Sequence, residues 1–280
     1  MSISSPKVSV LVPLFETDHS FLREMIQSVL TQSFADFELI LLNDSPWDRT
    51  LGEVVSGIGD PRIVFVENEK NLGISESRNK LIDLAKGEYL AILDHDDVCL
   101  KDRLEKQVRF LDTNPDIGAV SGGYMTLSDG KNHFFPEHNL EIKNALLDRC
   151  CLLHSASMIR KSVLISNQIR YEPLFSPAED FMLWIRLMGV TMFYNFPDVL
   201  IRYRDHENNT THRQAAKMKD ADLRIRCIAR SLYPGVDEIY KDKAWMYLFG
   251  IVPIMKIKKH RGYIRYYLFG LIPLITIKAI

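Results

Sequence analysis

Cysteine is scarce in this sequence. Four thiols lie at positions 99, 150, 151 and 227 of 280 residues, and no two form a C-x-x-C pair. Adjacent Cys150 and Cys151 have poor geometry for a bridge. The pattern argues against a disulfide framework or a cysteine-ligated metal centre and predicts reduced cytosolic thiols. Also missing is any apolar run of the roughly 20 residues needed to span a bilayer. The N-terminal MSISSPKVSVLVP has no basic region leading into a long apolar stretch, so no signal peptide is expected. Net charge is only −1. That removes any global attraction to a polyanion, and no nucleic-acid partner is expected.

What is present is an ordinary globular balance, 46% apolar and 25% charged residues, enough for a sizeable core. The length suits one large domain or a domain with an extension. Charge is unevenly placed. Residues 241–280 hold eight Lys or Arg and one acid, about +7, leaving about −8 on the rest. A basic tail on an acidic body points to an anionic partner for the tail.

The first 110 residues alternate between two periodicities. VSVLVP (8–13), FELILLND (37–44), RIVFVEN (62–68) and YLAILD (89–94) are continuous apolar runs and read as buried strands. Between them, 20–32, 73–87 and 100–111 carry apolar residues at helical spacing, and Gly87 reads as a helix stop. Strand–helix alternation predicts an α/β fold, a Rossmann-like, mostly parallel sheet flanked by helices. Such sheets bind ligands beyond the carboxyl ends of their strands. Here those ends carry Phe15-Glu16, Asn43-Asp44 and the acidic stretch Asp94-His95-Asp96-Asp97.

After residue 115 the pattern loosens, with short strands expected near 117–124, 154–160 and 191–203. A helix over 177–189 is well marked: Ser176 is a candidate cap, Pro177 suits the first turn, and Glu179 would complete a capping box. The last 34 residues contain YLFGIVPIMKIK (247–258) and YLFGLIPLITIK (267–278), a twofold repeat offset by 20. Each run is too short to cross a membrane. The arrangement suits a segment lying in an anionic membrane interface; packing back on the domain and self-association are the competing readings.

Three carboxylates within four positions repel one another. A divalent cation removes that repulsion, and oxygen ligands suit Mg²⁺ or Mn²⁺, usually shared with substrate phosphates. The bland alternative is a solvated loop in which Asp97 or Asp102 helps start the next helix.

VSVLVPLFE, QSVLTQSFADFELILLNDS (27–45), NLGISESRN (71–79), LDHDD, AEDFMLWIRL (178–187) and YRDHENNTTH (203–212) occur in this order. Together they resemble the family 2 inverting glycosyltransferases of the GT-A fold over about residues 7–210, with a likeness to bacterial lipopolysaccharide and capsule enzymes. The resemblance implies a GT-A catalytic domain over 1–212, split into a nucleotide-sugar half (1–115) and an acceptor half (116–212). A helical basic and apolar extension (213–280) would follow. It implies a nucleotide-sugar donor, with uridine as the base, met by Pro13, Phe15, Glu16, Asp44, Arg78, Asp94, Asp96 and Glu179. Phe15 would pack on the base, Asp44 would accept from uracil N3–H, and Arg78 would lie near the diphosphate. Asp96 would bind Mn²⁺ or Mg²⁺, with Asp94 and His206 as further candidate ligands; His206 reads equally as a diphosphate contact or a loop histidine. Asp180 would be the general base, although a first-turn acid also answers the helix dipole.

The acceptor implied is a glycan or lipid-linked glycan at the inner face of the cytoplasmic membrane, with peripheral contact through 245–280. Three positions depart from the family pattern: Glu16 stands where asparagine is common, Asn43 where aspartate is common, and Ser77 in an alanine position. Two readings of other classes compete. A sugar-nucleotide pyrophosphorylase would need a glycine-rich basic loop after the first strand, which PLFETDHS lacks. A non-catalytic nucleotide-sugar-binding module would need no base.

Overall fold

The computed structural model describes residues 5–207, 209–234 and 236, together with the backbone of four strands between 245 and 278. The chain forms two compact units, Met1–Ala229 and Arg230–Ile280.

The first unit opens with three parallel strands: β1 (Val8–Leu14), followed by helix α1 (His19–Leu30), then β2 (Phe37–Asn43), helix α2 (Thr50–Ser56) and β3 (Ile63–Glu67). Every residue of β1 and β2 is buried, as expected of strands covered on both faces. Helix α3 (Ile74–Leu84) leads to β4 (Tyr89–Ile92), which returns beside β1 with Val8 opposite Tyr89. The parallel block therefore runs β3-β2-β1-β4, with its carboxyl ends on one edge.

Beyond β4 the chain turns through β5 (Val98–Cys99) and α4 (Arg103–Thr113) into β6 (Ile117–Thr126), β7 (Asn132–His133) and α5 (Asn139–Leu146). The strand β8 (Met158–Arg160) pairs antiparallel with both β4 and β6, so β6 runs in the same direction as β4. After α6 (Lys161–Ser166) and α7 (Glu179–Met188), β9 (Met192–Tyr203) lies parallel to β6. The sheet closes on β5, where Val98 faces Arg202. That last pairing brings the residues after the acidic stretch against the end of β9. The unit finishes with α8 (Thr210–Arg213) and enters α9 (Ala215–Leu232).

Two expectations are corrected here. Ser176 and Pro177 do not begin α7; Ala178 occupies the cap position and no side chain caps the helix. Glu179 is committed elsewhere, so the capping box does not form. Gly87 is not a helix stop, because α3 ends at Leu84 with Ala85 extended. A Cβ on Gly87 would lie 2.5 Å from Ser9 N, so glycine there permits close approach to β1.

Of the expected helical extension over 213–280, α9 covers Ala215–Leu232. Beyond it, β10 (Trp245–Leu248), β11 (Val252–His260), β12 (Tyr263–Leu268) and β13 (Ile272–Lys278) form a four-stranded antiparallel meander instead. Each repeat carries three isoleucines with one tyrosine and one phenylalanine, residues that suit a pleated surface better than a helix. Their side chains lie outside the described residues, and so does the expected apolar surface of the tail. No helix among the described residues is long and apolar enough to cross a membrane.

Candidate active site

The site sits at the carboxyl edge of β1, β2 and β4. Burial of β2 carries Asn43, Asp44 and Ser45 inward, all three solvent-shielded. Asp44 receives four hydrogen bonds: from Asn68 Nδ2 (2.7 Å) and Leu72 N (2.8 Å) on Oδ1, and from Asn71 Nδ2 (3.0 Å) and Gly73 N (2.9 Å) on Oδ2. A carboxylate offers about four acceptor positions. Asp44 thus fixes the turn that starts α3 and, in this conformation, offers no free acceptor to a base. Gly73 serves that turn with a positive φ of 82°.

At the end of β1, Pro13 is buried in the sheet, while Phe15 and Glu16 are exposed. Glu16 has a φ of 46°, its N–H donates to Ser45 Oγ at 3.0 Å, and its carboxylate pairs with Arg213 at 3.3 Å. Positive φ suits asparagine better than glutamate, so Glu16 holds this conformation against its own preference.

Arg78 is the hub of the site. It projects from α3 into the sheet edge, buried, with Nη1 2.6 Å from Glu179 Oε1 and Nη2 3.1 Å from Asp94 Oδ1. Burial opposes its charge, but Glu179 and Asp94 more than offset this and raise its pKa. Arg78 therefore ties the acidic stretch after β4 to the first turn of α7. Its Nε and Glu179 Oε2 are buried without a hydrogen-bond partner among the described residues. Tyr171, whose ring lies 5.6 Å from the guanidinium carbon, backs it, and the Tyr171 hydroxyl is 3.0 Å from His154 Nε2. His154 is held neutral, its pKa pushed well down by burial and by Arg78.

Asp180 is partly buried at the N-terminus of α7, and its Oδ1 accepts from Phe181 N at 2.7 Å. Burial and the adjacent Glu179 push its pKa up to about 6, against the opposing pull of Arg78. A carboxyl poised near neutrality suits a general base.

The acidic stretch is not a solvated loop. Asp97 is buried, and burial with Asp96 and Asp94 nearby raises its pKa well above the usual range. Its Oδ1 accepts from Arg204 N at 3.0 Å, and the Ser155 hydroxyl acts with that bond to oppose the rise. Asp96 Oδ2 lies 2.9 Å from His206 Nε2. Arg204 also donates to Asp96 O at 2.9 Å, pairs with Glu24, and stacks 4.1 Å over Phe21. The closing Tyr-Arg-Asp-His segment is thus pinned against the acids by the pairing of β5 with β9.

The structure brings Arg78, Asp94 and Glu179 into direct contact, and Asp96 and His206 into another. Among the described residues no group of three His, Cys, Asp or Glu side chains is preset to hold a metal ion. Asp96 Oδ2 and His206 Nε2 nonetheless converge as one oxygen and one nitrogen donor, a pair that fits a divalent cation completed by substrate phosphate and water. Sequence reasoning assigned no role to Arg204, Tyr171, His154 or Asn68. Arg204 lies inside a motif already singled out; the other three carry no local signal.

An open, mostly parallel sheet with a ligand-facing acidic turn and a near-neutral carboxyl at a helix start defines a GT-A-type transferase. The comparisons agree. The model of "Glycosyl transferase family 2" matches residues 9–169. An uncharacterized glycosyltransferase of Methanocaldococcus jannaschii is 30% identical over 210 residues, 72% of each chain. The amylovoran biosynthesis glycosyltransferase AmsE of Erwinia amylovora is 26% identical over 267 residues, 92% of this chain and 88% of AmsE. Among solved structures, S. aureus TarS 1–349 in complex with UDP-GlcNAc superposes with a TM-score of 0.65 at 20% identity, covering 80% of this chain and 66% of that one. The mannosyltransferase PcManGT of Pyrobaculum calidifontis, in complex with GDP-Man and Mn²⁺, gives 0.57 at 15% identity, covering 85% and 79%. The chain belongs to glycosyl transferase family 2 and is a glycosyltransferase.

Proposed function

We propose that this enzyme is a metal-dependent, inverting transferase. It moves a hexose or N-acetylhexosamine from a nucleotide sugar, UDP-linked in the first instance, to a hydroxyl of a surface-glycan acceptor. The observation that carries this reading is Asp180: a carboxyl raised toward neutrality, joined through Glu179 and Arg78 to the acidic stretch.

Asp180 takes the proton of the acceptor hydroxyl as that oxygen attacks the anomeric carbon from the face opposite the leaving group. Arg78, held between Glu179 and Asp94, would lie near the diphosphate. Asp96 and His206, with Asp94 nearby, would hold Mn²⁺ or Mg²⁺, which when bound neutralises charge on the departing nucleoside diphosphate. The part of AmsE in amylovoran biosynthesis and the UDP-GlcNAc bound by TarS favour a glycan acceptor and a uridine donor.

The test is nucleotide release from UDP-, GDP-, dTDP- and CMP-sugars, with Mn²⁺ and then with EDTA. Slow release from one donor, abolished by EDTA, is expected. Release indifferent to EDTA would remove the metal from the reading. A lipid-linked acceptor at the inner face of the cytoplasmic membrane is the companion proposal, motivated by the basic tail. Removing residues 245–280 should shift the enzyme from the membrane to the supernatant fraction, and unchanged fractionation would rule that role out.

A further inference from the structure

The hairpin of β6 and β7 has two unlike faces. Strand pairing sets Tyr124 opposite His133 and Met125 opposite Asn132, and β9 sets Arg202 opposite Met125. Side chains alternate between the faces along each strand. On one face His133 stacks on Tyr124, with ring centroids 4.6 Å apart and planes at 13°, and Tyr203 meets Tyr124 edge-on at 5.4 Å. That face is closed by its own rings.

The other face is bare. Phe134 stands on it, 55% exposed. Gly123 makes room for the ring, since a Cβ there would lie 2.6 Å from Phe134 Cδ1. The ring thus takes the place of a side chain on β6, and more than half of its surface still meets water. Met125 shares this face, with Asn132 on one flank and Arg202 on the other. Both flanking residues are exposed, and their side chains have no hydrogen bond or ion pair among the described residues. A ring, an amide and a guanidinium, all unengaged, make one patch.

The patch adjoins the candidate active site at both ends. β9 passes from Arg202 to Arg204, which holds Asp96 and Asp97, and Val98 lies opposite Arg202 on β5. Past Phe134 the chain is clamped by Asn195. Its N–H donates to Glu137 O at 2.9 Å, and its Nδ2 donates to Pro136 O at 2.8 Å and to Cys151 O at 2.9 Å. The segment after the hairpin is thereby held against the loop of Cys150 and Cys151. That loop reaches the base: burial, and after it the charge of Asp180, push the Cys150 thiol up.

On the glycan-acceptor reading above, we infer that this patch is an acceptor subsite for an anionic pyranose unit, with Phe134 under the ring, Asn132 at its hydroxyls and Arg202 on its carboxylate or phosphate. A pyranose presents a face of C–H bonds, which suits the negative face of an aromatic ring. A guanidinium fork matches a carboxylate or a phosphate with two parallel hydrogen bonds. Phe134 and Arg202 therefore decide which glycan is presented to Asp180, and take no part in the bond that breaks.

The experiment is saturation-transfer NMR of the full-length protein in MgCl₂ and UDP, titrated with methyl glucuronide, glucose 6-phosphate and methyl glucoside. An anionic sugar should bind about tenfold or more tighter than methyl glucoside, the scale of a charge-assisted hydrogen-bonded pair. Which of the two binds identifies the carboxylate or the phosphate as the charge that is read. Phe134→Ala should weaken it by about threefold to tenfold, the scale of one aromatic contact, and Phe134→Trp should restore it. Arg202→Gln should level charged and neutral sugars while leaving methyl glucoside where it was. UDP affinity, read by calorimetry, should be the same in all three variants. Equal binding of charged and neutral sugars by the parent would overturn the inference, as would Phe134→Ala binding like the parent. So would a loss that extends to UDP, or a parent that binds none of the three sugars. Each of those results leaves the transferase reading standing, because nucleotide release from the donor panel tests that reading without an acceptor.

Discussion

Asp180→Asn should give a folded protein that still binds its donor and transfers almost nothing, with turnover down by about 10²- to 10⁴-fold. The amide keeps the shape at the start of α7 and loses the site that takes the acceptor's proton. Single-turnover transfer alongside donor calorimetry separates the two. Transfer near the parent rate would remove Asp180 as the base. The pH dependence supplies a second check. A base must be ionised, so kcat/KM should rise with pH through about 6, the position to which burial and Glu179 push this carboxyl. The same shift has an opposite sign for stability. A carboxyl whose pKa is higher folded than unfolded binds protons more tightly in the fold, so its contribution falls as pH rises from the usual aspartate range through about 6. At pH 8 the Asn variant should therefore melt above the parent, with the gap closing in acid. Catalytic loss coupled to a stability gain is what a strained functional carboxyl should show.

The nucleotide half of the fold was legible because its signals are local. A strand such as VSVLVPL is apolar throughout and is indeed buried throughout. Strand–helix alternation then leaves few topologies, and the carboxyl edge places Asp44, Asp94 and Asp96 where they are found. What local pattern cannot carry is the choice between two uses of one residue. Glu179 has the spacing of a capping box, but its partner Arg78 is 101 positions away, and a buried guanidinium outbids a helix cap. Asp44 has the position of a base contact, but Asn68 and Asn71 claim it through a turn whose shape no motif specifies. The pairing of β5 with β9 rests on two residues of β5, too short for any periodicity to announce, yet it seats His206 on Asp96. The tail failed for a different reason: short apolar runs do not discriminate helix from strand by period alone, and their β-branched and aromatic content had to decide.

Glu179 offers the largest expected effect on stability. Its side chain is 4% exposed and that of Arg78 is 10% exposed. Glu179→Ala would leave a buried guanidinium with Asp94 alone, whose side chain is 36% exposed and so more weakly coupled. Removing one member of a buried pair costs about 3–5 kcal/mol, because the remaining charge is left uncompensated. Against a domain stability of about 5–15 kcal/mol, that should appear as a large fall in the urea midpoint at unchanged slope. A drop below about 1 kcal/mol, the value of an exposed pair, would mean that Arg78 finds another partner. Glu179→Gln separates stability from chemistry. The amide oxygen still accepts from Arg78, so the fold should lose less than in the alanine variant. Its charge is gone, however, and Glu179 is one of the groups that hold Asp180 up. With that carboxylate neutralised and Arg78 still present, the acid limb of the rate profile should move below its parent position. An unmoved or upward limb would show that burial alone raises Asp180, and that the Glu-Asp pair acts as two independent residues joined only by sequence.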